Sequence, residues 1–306
     1  MSSETFEFSG YQGAKLPAVL WLPEGEPKAV LQITHGMTEH IGRYEAFAQQ
    51  MTARGVAVAG FDLRGHGKNP GDPLVASFGE GGWEASLADM RLFFDGLQAR
   101  FPHAPHYMLG FSLGSFLLRE YLARHPENIA GAVIMGTGHQ PSAVLTLIMA
   151  IIKGQIRKGG FDQTTPLVRQ LSFGTYNQQF KPARTPSDWL CADEKQLDQY
   201  LADPLCRKDI SAGLFWQLLA SMRRSGSKDV SSHYNKDMPV LLLSGQNDPV
   251  GGMGKGVQAV HRQLAQAGMK RLSLQLLPGA RHMVLCENAC GASDKAQQLI
   301  ADWLNV

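Results

Sequence analysis

Residues 106–124 constrain the fold more than any other stretch of the chain. A strand-like apolar run, His106–Phe111, passes without a linker into a helix-like run, Leu113–Arg124, and the junction is Gly110-Phe-Ser112-Leu-Gly114. A strand that turns directly into a helix predicts α/β architecture, because a parallel neighbour is reached only by a crossover connection. The rest of the first half keeps this rhythm. Pro17–Leu22 and Lys28–Thr34 are β-rich runs with a Pro/Gly/Glu turn between them, which predicts a hairpin. Arg43–Ala53 has helical spacing and ends near Gly55, and strand-like Val56–Asp62 leads into the Gly-rich loop Arg64–Gly71. Trp83–Arg100 predicts an amphipathic helix stopped before Pro102, and Gly131–Gly136 a further strand.

From His139 to about Asn235 the rhythm fails: helix-like pieces are broken by Gly, Pro and Thr, with no clear β-rich run. It resumes with a strand at Val240–Gly245, a helix near Met253–Ala267, a strand at Arg271–Leu276 and a final helix near Lys295–Leu304. Connections inside a compact domain are usually far shorter than the interrupted stretch. The reading is therefore an α/β core in two halves, 1–138 and 236–306, with a helical cap inserted at 139–235. Its sheet is mostly parallel, with helices on both faces.

Composition agrees with a packed core: 44% of the 306 residues are hydrophobic and 18% charged. A net charge of +2 without a dense Lys/Arg run argues against a nucleic-acid partner. Met1–Gly10 has neither the basic start nor the apolar core of a signal peptide, and the longest apolar stretch, Ala143–Ile152, is too short to span a bilayer. The four cysteines, 191, 206, 286 and 290, are too few for a disulfide scaffold. Cys286 and Cys290 stand four apart but lack further ligands at metal-site spacing. A cytoplasmic protein without metal or cofactor is expected.

G-x-S-x-G between a strand and a helix places a serine on a sharp turn above the carboxyl edge of the sheet, where open α/β folds bind ligands. The bare pattern is weak evidence in a chain with 33 glycines; its position between strand and helix makes it specific. Ser112 is the expected nucleophile. Such a hydroxyl needs a base oriented by an acid, in chain order Ser, Asp/Glu, His. Asp248 follows the run Val240–Gly245 and His282 follows Arg271–Leu276, so both fall on loops at strand ends. Asp237 and Glu287 are the substitute acids; His103, His106, His125, His233 and His261 read as structural. The strand ending in Thr34-His35-Gly36-Met37 supplies the third component, with Gly36 allowing a sharp backbone turn. The Met37 and Leu113 backbone N–H groups are expected to form an oxyanion hole.

These residues also carry a resemblance. His35-Gly-Met-Thr-Glu-His-Ile-Gly-Arg-Tyr44 resembles the H-G-x-x-E-H-x-x-R-Y segment of monoacylglycerol lipases and lysophospholipase-like hydrolases, the group also called serine aminopeptidase S33. Asp62-Leu-Arg-Gly-His-Gly67, Gly110-Phe-Ser-Leu-Gly114, Asn247-Asp-Pro249 and His282 fall where that family has matching motifs. The resemblance implies an α/β-hydrolase fold and hydrolysis of carboxylic esters, monoacylglycerol-like or small, through an acyl-serine. Family members commonly carry G-H-S-M-G-G at the turn, where this chain has Phe111, Leu113 and Ser115 in place of His, Met and the last Gly. Glu39, His40, Arg43 and Tyr44 read as a hydrogen-bonded network fixing the oxyanion loop, and Asp62, Arg64 and His66 as braces beside it.

Pro141–Ile152 is apolar except for Ser142 and Thr146, and Lys153, Arg157 and Lys158 follow. A helix apolar on all sides is normally buried, which predicts packing onto the core. The sharper alternative is a lid that lines an acyl pocket and makes transient contact with membrane surfaces. Leu171–Tyr176 and Asp188–Leu190 add aromatic residues suited to pocket walls. Two other functions compete. An aminopeptidase would need acids such as Asp193, Glu194, Asp198 or Asp203 to hold a substrate amine, and a non-catalytic ligand-binding homologue would keep the triad as a vestige. Halide-displacing and epoxide-opening relatives carry Asp at the turn, so Ser112 argues against both.

Overall fold

The computed structural model describes residues 2–207 and 209–306. The chain opens with β1 (Ser2–Ser9), β2 (Lys15–Leu22) and β3 (Ala29–Thr34), then α1 (Glu45–Thr52), β4 (Val56–Phe61), β5 (Val75–Ala76) and α2 (Gly82–Arg100). β6 (His106–Phe111), α3 (Leu113–Arg124) and β7 (Gly131–Met135) follow. The stretch before the next sheet strand holds α4 (Ser142–Gly159), α5 (Pro166–Ser172), α6 (Glu194–Ala202), β8 (Asp209–Ile210), α7 (Ala212–Ser225) and α8 (Lys228–Ser232). β9 (Val240–Gly245), α9 (Lys255–Gln266), β10 (Leu272–Leu277) and α10 (Ala292–Leu304) complete the chain.

Eight strands form one sheet in the order β1-β2-β4-β3-β6-β7-β9-β10, parallel from β4 to β10 and antiparallel at β1 and β2. Every residue of β3, β4, β7 and β9 is buried, because helices cover both faces; such strands are continuously apolar rather than alternating. The alternation survives in the direction of the side chains. Val30 falls in one buried cluster with Met90 and Phe94 of α2, while Leu31 and Ile33 fall in the other with Phe47 of α1 and Ile300 of α10.

Two expectations are corrected here. Pro17–Leu22 and Lys28–Thr34 do not pair as a hairpin: β4 lies between β2 and β3. The β3–α1–β4 crossover lays β4 parallel beside β3 and takes the edge such a hairpin would need. β2 instead forms its hairpin with β1, across a turn closed by Gly10 N donating to Ala14 O at 2.7 Å. The stretch after β7 is also not free of strand, since β8 pairs with β5 in a parallel two-stranded sheet.

A third correction concerns α4, which is not buried on all sides. Leu145, Met149 and Ile152, at spacing i, i+4, i+7, are buried against α7, while Val144, Leu147 and Ile151 face outward. Among the described residues no helix is long and apolar enough to cross a membrane.

Candidate active site

The turn between β6 and α3 places Ser112 at φ 50°, ψ −116°, a conformation that L-residues rarely adopt. It persists because its surroundings leave no alternative. Ser112 N donates to Met135 O of the neighbouring strand, and its carbonyl accepts the Ser115 and Phe116 N–H groups at the start of α3. The helix backbone passes so close to β3 that a Cβ on Gly114 would sit 2.0 Å from Thr34 O, and one on Gly110 would sit 2.4 Å from Gly114 O. Only glycine fits at either position.

Three loops at the carboxyl edge meet at this serine. His282, on the loop after β10, directs Nε2 to Ser112 Oγ at 2.8 Å and Nδ1 to Asp248 Oδ2 at 2.8 Å. Asp248 lies on the loop after β9, is fully buried, and also accepts from Val250 N at 2.8 Å and Ser244 Oγ at 3.2 Å. With its carboxylate holding three donors, it takes the Nδ1–H of His282 and leaves Nε2 free to accept the serine proton. The two loops are bonded together, Gln246 N to Leu277 O and Asn247 N to Ala280 O, both at 2.9 Å. The substitute acids lie elsewhere. Asp237 pairs with Lys270 on the surface, and Glu287 accepts from Ala192 N.

The loop after β3 is held by buried polar contacts. Glu39 Oε1 accepts Gly36 N at 2.6 Å and Tyr44 Oη at 2.8 Å, with Arg43 Nε 3.6 Å from Oε2. His35 is fully buried: its Nε2 accepts Leu63 N at 2.9 Å, so its Nδ1–H donates to Gly36 O at 2.7 Å. Burial lowers its pKa to about 3, and that of fully buried His66 likewise. The left-handed residue of this loop is Thr38, φ 61°, not Gly36. Gly36 is required for close approach instead, since a Cβ there would lie 2.9 Å from Glu39 Oε1 and from the Phe111 ring. Among the described residues, neither Met37 N nor Leu113 N has a hydrogen-bond acceptor.

The other residues of the expected network brace rather than enter the site. His40 turns to Asp203, Nε2 to Oδ2 at 2.8 Å. Asp62 accepts Ile41 N and Lys68 N, both at 2.9 Å, and Arg64 pairs with buried Asp89 of α2 at 2.6 Å.

A cavity of about 170 Å³ lies over Ser112 and His282, walled by Met37, Phe111, Phe173, Trp189, Tyr200 and Met283. Two of its aromatic walls, Phe173 and Trp189, come from the two stretches singled out in sequence, 171–176 and 188–190. Tyr200 and Thr38, joined Oη to Oγ1 at 2.7 Å, carry no sequence signal beyond the inward spacing of Leu197 and Tyr200 on α6. Among the described residues one group, His40, Asp203 and Cys206, brings metal-type donor atoms within 4.8 Å of one another. His40 and Asp203 already satisfy each other there, and the Arg43 charge acts on Cys206, which opposes a cation. Cys286 is partly buried and Cys290 exposed.

A mostly parallel sheet with Ser112, Asp248 and His282 gathered at its carboxyl edge defines an α/β hydrolase. Comparison with known proteins narrows the class. The chain belongs to the family described as serine aminopeptidase, S33, whose model matches residues 25–289. It is 26% identical over 266 residues to monoglyceride lipase of Homo sapiens, covering 86% of this chain and 78% of that protein. It is 29% identical over 162 residues to monoacylglycerol lipase of Mycolicibacterium smegmatis, covering 50% and 54%. A thermostable carboxyl esterase from Bacillus coagulans has the same fold, with a TM-score of 0.87, 23% identity, and coverage of 100% of this chain and 98% of that one. So does a soluble variant of monoglyceride lipase from Saccharomyces cerevisiae, with a TM-score of 0.76, 17% identity and coverage of 98% and 94%.

Proposed function

We propose that the protein hydrolyses carboxylic esters, monoacylglycerol-like or other small acyl esters, through an acyl-serine intermediate. The observation that carries this is the unbroken path Ser112 Oγ to His282 Nε2 and His282 Nδ1 to Asp248 Oδ2, both steps 2.8 Å. His282 takes the proton as Ser112 Oγ bonds to the ester carbonyl carbon, and Asp248 stabilises the imidazolium. The carbonyl oxygen becomes negative and is met by the N–H groups of Met37 and Leu113, worth about 3 kcal/mol for one such donor. Collapse breaks the bond to the alcohol, which leaves with the His282 proton. Water, activated by the same histidine, then frees the acid and restores Ser112. No step needs a metal or cofactor, so turnover is expected to be unchanged in EDTA.

Ester rather than peptide chemistry is favoured by the cavity walls. The one carboxylate among the described lining residues is Glu39, already engaged by Gly36, Tyr44 and Arg43. The acids that an aminopeptidase would need are committed elsewhere: Asp193 caps α6, Glu194 and Asp198 lie against Arg184, and Asp203 pairs with His40. The monoglyceride lipases among the relatives support the acylglycerol class. In this reading 139–235 forms a helical cap, the protein works in the cytoplasm, and outward Val144, Leu147 and Ile151 of α4 meet lipid surfaces.

Fluorophosphonate labelling, with p-nitrophenyl esters compared against aminoacyl anilides, tests the proposal. Labelling at Ser112 and turnover of esters alone are expected, both abolished in Ser112→Ala with the fold retained. Preferred anilide turnover would establish the peptidase, and absence of labelling in folded protein would establish a non-catalytic homologue.

A further inference from the structure

Trp189, which is 6% exposed, lines the cavity together with Ser112 and His282. Its ring centroid stands 5.3 Å from that of His282. Phe173, itself a lining residue, stacks on it at 5.8 Å and 23°, and Tyr176 packs edge-on at 4.9 Å. Trp189 therefore meets the cavity from within a packed cluster of three aromatic rings.

The segment that carries Trp189 is tied to the loop that carries His282. Met283 N donates to Leu190 O at 2.7 Å, and Arg281 Nη1 donates to Asp188 O at 2.5 Å and to Cys191 O at 3.3 Å. Ala192 N donates to the buried carboxylate of Glu287, and Trp189 N itself donates to Asn177 Oδ1 at 2.9 Å. The neighbours of His282 on both sides thus hold the neighbours of Trp189 on both sides. These bonds tie the backbone on either side of Trp189 to the loop that carries His282.

The cavity is small. At about 170 Å³ it is close to the roughly 150 Å³ of an apolar cavity that holds a single benzene. Pockets for drug-sized ligands begin at about 300 Å³.

We propose that Trp189, backed by Phe173 and Tyr176, sets the acyl-chain length, closing the cavity so that the chain accepted is of about six carbons or fewer. The inference rests on the ester-hydrolase reading and names the substrate class within it: short-chain acyl esters, not long-chain monoacylglycerols.

The test is kcat/KM on p-nitrophenyl esters from acetate to palmitate, for wild type, Trp189→Phe, Trp189→Ala and Phe173→Ala. One methylene in a fitted pocket is worth roughly tenfold or more. The wild type is therefore expected to peak at or below hexanoate and to fall at least about tenfold by decanoate. Trp189→Ala is expected to raise the ratio of decanoate to butyrate kcat/KM about tenfold, whatever it does to the absolute rates, with Phe173→Ala intermediate. If Trp189→Ala fails to fold, Phe173→Ala and the wild-type labelling rates with butyl against dodecyl fluorophosphonate carry the test. A wild type that prefers palmitate, or variants with an unshifted profile while Ser112 still labels, would overturn the chain-length assignment and leave the ester reading standing. Loss of the ester reading itself would show separately, as no labelling and no turnover at any chain length.

Discussion

Glu39 accepts the Gly36 N–H at 2.6 Å, and with the same oxygen the hydroxyl of Tyr44 at 2.8 Å. One buried carboxylate thereby spans the loop whose next N–H, that of Met37, is the proposed oxyanion donor. Glu39→Ala is expected to cost about 3 kcal/mol of stability, because it strands the Arg43 charge and two buried donors. It should also lower kcat/KM about tenfold through kcat and slow fluorophosphonate labelling in proportion. Glu39→Gln, which keeps an acceptor, should recover most of the labelling rate. Urea unfolding and labelling kinetics on both variants check this, and equal rates for all three proteins would mean that the contact does not position the loop.

Asp248→Asn preserves size but changes the tautomer. An amide N–H cannot accept from His282 Nδ1–H, so the ring turns its lone pair to the amide and presents Nε2–H to Ser112, a donor where a base is needed. The drop in kcat is expected to be about 10⁴-fold, with KM for butyrate little changed and the melting temperature within a few degrees. Steady-state kinetics decide it; a loss below tenfold would point to a different acid.

His35 and His66 make stability depend on pH. Both are neutral and fully buried, with pKa values lowered from 6.5 to about 3. Below pH 6.5 the unfolded chain takes up protons that the folded chain refuses, so stability is lost as pH falls from 6.5 towards 3 and is complete above 6.5. Each histidine contributes a slope of about 1.4 kcal/mol per pH unit. Urea midpoints at pH 7, 6 and 5 should fall steadily, and the decline should be shallower in His66→Asn by up to about 1.4 kcal/mol per pH unit. An identical slope in that variant would remove His66 from the account.

The parts legible in sequence were those dictated by local physics. β6, α3 and β9 match their predicted ranges because apolar runs and the glycines of the turn act within a few residues. β1 has no sequence signal because it is an edge strand with mostly exposed residues and no apolar run. The β2–β3 hairpin that the sequence predicts does not form, and turn residues between two runs cannot reveal that a later strand will enter between them. Ser112, Asp248 and His282 were readable through their chain order and strand-end positions. Tyr200 was not: it reaches the cavity through the packing of α6, and contacts at a separation of 162 residues, like that with Thr38, leave no trace in spacing.

The two faces of α4 separate stability from surface binding. Ile152 is fully buried, so Ile152→Ala is expected to cost about 2–5 kcal/mol, whereas Leu147, 64% exposed, should tolerate Ala within about 0.5 kcal/mol. An outward leucine that contributes nothing to folding is explained if it meets an apolar phase. Val144, Leu147 and Ile151 share one side of the helix, and exposed Lys153, Arg157 and Lys158 follow at its end, suited to anionic headgroups. Burying one leucine is worth about 1.5–3 kcal/mol, so Leu147→Ser should weaken partition onto anionic vesicles by roughly tenfold or more. Hydrolysis of a soluble butyrate ester should be untouched, because Leu147 lies outside the cavity. Vesicle co-sedimentation with wild type, Leu147→Ser and Lys153→Glu reads the two contributions apart. Equal partition of all three would leave the outward residues of α4 as ordinary exposed surface.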